Sequence, residues 1–200
     1  IALLCFLSCR WSAYIAGLPW VDSLYFLMVV ILLYSIITSN ARLLFIALLI
    51  GPLSKESFIF FYPLIIFYSN ENWLRKIGFI TSGVLLAFLV RFLIDYSYNF
   101  NISDSIHEDL DHFNQIVLSL KRMFSFHGLY ELLSITGLFT LPFFFLSSSQ
   151  IRNKVKSNLP SFTMLFFVII IFHAMLSSDL TRMYYLMLPL LCLVIGLILD

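Results

Sequence analysis

The chain has 200 residues, of which 61% are hydrophobic and 12% charged, with a net charge of +1. Soluble domains carry about 25% charged residues, so a water-soluble core could not hide this much apolar surface. The balanced charge excludes bulk attraction to nucleic acid, and the lack of apolar–polar alternation excludes a membrane barrel. With a mean hydropathy of +0.98, the expectation is an all-α, polytopic transmembrane helix bundle embedded in a lipid bilayer.

Ile1–Ser8 is too short to span and lacks the basic start of a signal peptide. It reads as the tail of a helix, and residues 1–200 as one membrane domain cut from a longer chain. Leu24 to Thr38 is the first clear span, preceded by Pro19, Trp20 and Asp22. A polar turn, Ser39–Arg42, leads into Leu43–Ser69, a nearly continuous apolar stretch interrupted by Lys55 and Glu56. A charge at a bilayer centre costs roughly 2.5–3.5 kcal/mol on insertion scales. Gly51 and Pro52 just before the two charges weaken a helix interior. The stretch therefore reads as two short helices of roughly 11–14 residues, shorter than a usual span. The chain would turn at Gly51–Ser54, Ser54 would cap the second helix, and Glu56 would sit in its first turn. That turn offers a helix N-terminus beside a lysine, a ready anion site.

Beyond it come a polar loop Asn70–Lys76 and a span Ile77–Ile94 with Arg91 near its end. Asp95 to Gly128 is a long, wetter segment, read as extracytoplasmic. Spans follow at Leu129–Leu146, Leu159–Leu176 and Met183–Leu199, separated by the loops Ser147–Asn158 and Ser177–Thr181. Arg152, Lys154 and Lys156 make Ser147–Asn158 the most basic loop, hence cytoplasmic by the positive-inside rule. Counting back puts residues 39–42 and 70–76 inside if 43–69 is a broken pair. Asp22, Lys55, Glu56, Asp95, Glu131, Asp179 and Arg182 then fall at the outer face. Arg91, Asp95 and Glu131 read as interfacial anchors.

Within the outer segment, Ile106, Leu110, Phe113, Val117, Leu120 and Phe124 recur at helical spacing behind a Ser105–Glu108 capping box. They predict an amphipathic helix from Ser105 to about Met123 on the outer surface. His107-Glu108 with His112 misses the zinc spacing by one residue, so no metal site is expected. Asn101-Ile102-Ser103 is a glycosylation sequon, meaningful only in a eukaryotic lumen. Cys5, Cys9 and Cys192 lie in or beside apolar runs and read as small apolar fillers.

Three short motifs carry a resemblance. They are Pro19-Trp20-Val21-Asp22 before a span, Leu53-Ser54-Lys55-Glu56 between short helices, and Asp179-Leu180-Thr181-Arg182 followed by Pro189. In this order they resemble the GT-C superfamily of integral membrane glycosyltransferases, which take sugars from polyprenyl-phosphate donors. The resemblance implies transfer from a lipid-phosphate-linked sugar at the extracytoplasmic face, for a bacterial chain at the inner (plasma) membrane. It implies phosphate binding by Lys55 and Arg182, with Glu56 orienting Lys55 and Asp179 beside Arg182. The family's catalytic acid lies in the first outer loop, which on this reading precedes Ile1; the base is unassigned, with Asp22 the single candidate. No cofactor is expected besides the lipid-linked sugar as substrate, and the sequence does not support a divalent metal. The alternatives are a polysaccharide polymerase or ligase, a flippase, a secondary transporter, or a structural subunit. A transporter site should lie near the midplane between repeats, whereas here the charges gather at one face and no repeat is visible.

Overall fold

A computed structural model describes residues 21–98, 116–136, 144–176 and 184–199. Among these, every regular element is helical, as the composition requires. The chain falls into two compact units, one over Trp20–Asn114 and one whose described part lies within Gln115–Asp200.

The first unit runs α1 (Val21–Thr38), α2 (Ala41–Ser54), a 3₁₀ segment (Glu56–Phe61), α3 (Tyr62–Tyr68) and α4 (Trp73–Tyr98). α2 packs between α1 and α4, and α3 returns along α4. Asn40 starts α2 by accepting from the backbone N–H groups of Arg42 and Leu43. Asn72 accepts from Arg75 N at the start of α4 (2.9 Å). The Asn70 side chain donates to Ser39 Oγ at 2.6 Å, which brings the two polar turns to one end of the unit. Lys76 reaches back from α4 to the Ile66 carbonyl at 2.9 Å. A cation there offsets the negative end of α3.

The predicted break in 43–69 is present, but it falls later. α2 continues through Gly51 and Pro52 to Ser54, and the chain turns at Lys55, which is extended (φ −163°, ψ 132°). Ser54 is not an N-cap, because its hydroxyl donates back to the Gly51 carbonyl at 2.6 Å. Pro52 has no N–H to give to the Leu48 carbonyl four residues earlier. α4 approaches α2 at that carbonyl: a Cβ on Gly83 would stand 1.9 Å from Leu48 O. Gly51 likewise leaves room for the Phe58 ring, which a Cβ there would meet at 2.4 Å.

The second unit holds a helix over 116–123, then α5 (Phe126–Thr136), α6 (Ser149–Asn158), α7 (Thr163–Leu176) and α8 (Leu188–Leu199). The stretch read as the cytoplasmic loop Ser147–Asn158 is mostly helix, because Ile151, Val155 and Leu159 form an apolar stripe that packs on Val194, Leu197 and Ile198 of α8. The predicted helix over 105–123 is described only in its last part, where 116–123 is helical. The histidines at 107 and 112, the sequon, Cys5 and Cys9 lie outside the described residues.

Trp73–Ser97, with 25 residues, is the one described helix that by itself is long and apolar enough to cross a membrane. α6 and α7 pass the same test only together, across an 85° bend. At the predicted spans 24–38 and 183–199 stand the apolar helices Asp22–Thr38 and Leu188–Leu199, each too short to pass the test by itself. Pro189 lies in the first turn of the last of these, where its missing N–H leaves no helical hydrogen bond unmade.

Candidate functional site

The charges that interrupt apolar sequence in the first unit meet at one place. Asp22 opens α1, Lys55 lies between α2 and the 3₁₀ segment, Glu56 begins that segment, and Arg91 and Asp95 lie near the end of α4. Lys55 Nζ is 3.2 Å from Asp22 Oδ1. It also stands over the Tyr25 ring, 5.5 Å from the centroid, where the ring's negative face favours a cation. Arg91 pairs with Glu56. Glu56 is therefore held by Arg91, and the partner that orients Lys55 is Asp22, 33 residues earlier.

The extended backbone at Lys55 is fixed from both sides. Its N–H closes α2 on the Gly51 carbonyl at 3.1 Å, and its own carbonyl accepts from Phe58 N at 3.0 Å. Beneath it the rings of Tyr25, Phe58, Phe61 and Tyr62 form a cluster with centroids 5.9–6.5 Å apart. Phe58 and Phe61 are fully buried. Ser57 Oγ donates to the Tyr25 hydroxyl at 3.4 Å. This packing holds the turn rigidly and aims Lys55 back at α1.

A cavity of about 600 Å³ opens beside this turn, between the 3₁₀ segment and α4. Pro52, Leu53, Ile59, Val84, Phe88 and Ile94 supply an apolar wall, and Lys55, Glu56, Arg91 and Asp95 supply the charges. Tyr62 also lines it. The residue is only 7% exposed, and its buried hydroxyl has no hydrogen-bond partner among the described residues. Buried hydroxyls are nearly always paired, which sets Tyr62 apart from the other aromatic residues of the cluster. No cluster of three potential metal ligands occurs among the described residues.

Comparison with protein-family models, curated proteins and solved structures finds no match for this chain.

Of the residues singled out in the sequence, Asp22, Lys55 and Glu56 come together. Asp179 and Arg182 lie outside the described residues. Arg91 and Asp95, which the sequence reads as interfacial anchors, line the cavity, and so does Tyr62, which the sequence does not single out. Arg91 and Asp95, four apart on a helix, share one face. That spacing was the available signal.

Proposed function

We propose that the chain belongs to a multi-pass membrane glycosyltransferase of GT-C type, which moves a sugar from a polyprenyl-phosphate donor to an acceptor at the extracytoplasmic face. The observation that carries this reading is the cavity beside Lys55: apolar along α4, charged at its rim, with one unpaired buried hydroxyl. Such a cavity suits an amphiphile with a hydrocarbon tail and a polar head.

The short helices suit several crossings despite their length. α2, with 14 residues, rises about 21 Å. The returning arm has 13 residues, but its first six are 3₁₀, which rises about 2 Å per residue, so it covers about 22 Å. The arms match, and the chain returns to the end from which it left.

In the proposed chemistry, the donor phosphate draws Lys55 and Arg91 from their carboxylates. Asp22, released from Lys55, accepts the proton of an acceptor hydroxyl. The acceptor oxygen bonds to the anomeric carbon, the bond from that carbon to the phosphate oxygen breaks, and its electron pair leaves with the lipid phosphate. Lys55 and Arg91 hold the charge that develops there.

The test uses the full-length protein in membranes, supplied with a panel of radiolabelled sugars carried on polyprenyl phosphate. The wild type should transfer label, and Lys55→Met, at matched expression, should transfer at least about 100-fold less, the usual scale for losing one such electrostatic contact. Wild-type transfer by a well-expressed Lys55→Met variant removes Lys55 from the site.

A further inference from the structure

In the first unit Lys55, Arg75 and Arg91 are each paired with a carboxylate, whereas the second unit has a cationic surface of a different kind. Residues 147–158 contain Arg152, Lys154 and Lys156 and no acid. All three cations are exposed on α6. At about 100° per residue, Ile151, Val155 and Leu159 make one stripe, with Arg152 and Lys156 on one flank and Lys154 on the other. Asn153 and Ser157 lie opposite the stripe.

Two independent features fix where this helix lies. Its stripe packs on Val194, Leu197 and Ile198, in the last turns of α8. Its chain continues past Pro160 into the apolar α7 at an 85° bend. α8 is apolar on every face and α7 on all but its buried Thr163 and His173, as suits helices within a bilayer. If α7 runs along the membrane normal, α6 lies in the membrane plane, across the end of α8. Phe144 and Phe145, exposed just before α6, stand where aromatic side chains mark the membrane interface.

We propose that α6 is a dock for anionic phospholipid headgroups, with Arg152, Lys154 and Lys156 reaching lipid phosphates on both sides of the apolar stripe. The occupant follows from charge complementarity and from the bend. Three cations on a segment that contains no acid, on a helix lying at the interface, face headgroups rather than water. The positive-inside assignment puts them at the cytoplasmic leaflet, which carries the anionic surface charge. This dock rests on the membrane reading and is independent of sugar transfer.

The experiment uses the full chain in detergent, equilibrated with equimolar phosphatidylglycerol and phosphatidylcholine, with bound lipid counted by mass spectrometry. The wild type should hold phosphatidylglycerol over phosphatidylcholine by about fivefold or more. The triple variant Arg152→Gln/Lys154→Gln/Lys156→Gln changes exposed positions only, and its preference should fall to about twofold or less. The charge-preserving triple Arg152→Lys/Lys154→Arg/Lys156→Arg should keep the wild-type preference. An equal affinity of the wild type for the two lipids overturns the dock. So does a wild-type preference retained by the glutamine variant, which would put the anionic lipid elsewhere on the chain.

Discussion

Asp22 and Lys55 depend on each other. Their side chains are 20% and 31% exposed, so each ion is partly stripped of water and gains from the other more than a surface pair would. Lys55→Met leaves the Asp22 carboxylate without its cation, and Asp22→Asn leaves the ammonium with the Tyr25 ring. Each single variant should unfold at a lower temperature than the wild type, and the double variant should recover part of the loss. A coupling of roughly 1 kcal/mol is expected from thermal unfolding in detergent. Additive losses would show that the pair contributes no stability of its own. Arg91 and Glu56 are more exposed, at 60% and 80%, so Arg91→Gln should change stability little while acting on any ligand in the cavity. Lys55 was legible in the sequence because a charge inside an apolar run is conspicuous. Its partner was not, because 33 residues separate the two and nothing local links them.

At the scale of elements, the seam between α2 and α4 depends on a missing side chain. A methyl group on Gly83 would press on the backbone carbonyl of Leu48, which cannot swing aside, so the helices would have to part. Gly83→Ala should therefore cost about 1–3 kcal/mol, the usual range for overpacking. Gly78 lies on the same helix, and a Cβ there meets nothing within 4 Å. Gly78→Ala should be neutral or up to about 1 kcal/mol stabilising, through helix propensity alone. Melting temperatures of the two variants provide the comparison, and equal shifts would contradict the close approach. The break in 43–69 was readable from Gly51, Pro52 and the adjacent charges. Its position was not: Pro52 was accommodated inside α2, and the turn moved to Lys55. A proline removes one helical hydrogen bond, and α2 runs only two residues past Pro52 before it ends.

For the whole molecule, the first unit has two distinct ends, and the expected alternating topology makes a prediction for each. The turns at 38–40 and 69–72 share one end through Asn70 and Ser39, while Asp22, Lys55, Glu56 and Arg91 share the other. In a background lacking Cys5, Cys9 and Cys192, Glu56→Cys in intact cells should react with a membrane-impermeant maleimide. Asn70→Cys and Arg152→Cys should react only after the membrane is opened. The reverse pattern would invert the orientation, and labelling of all three in intact cells would contradict the crossings between them.

The sequence by itself determined the helical class, an apolar helix long enough to cross a membrane, the break in the 43–69 stretch and the charges that interrupt it. Those features depend on composition and on neighbours within a few residues, where the energy of burying apolar surface or a charge is already decided. Only the tertiary structure decided which acid faces Lys55, that Arg91 holds Glu56, that Tyr62 lines a cavity, and that the basic loop is a helix bound to α8. Each of these depends on groups brought together by helix packing, and two apolar helices can pack in many registers before a small residue such as Gly83 selects one.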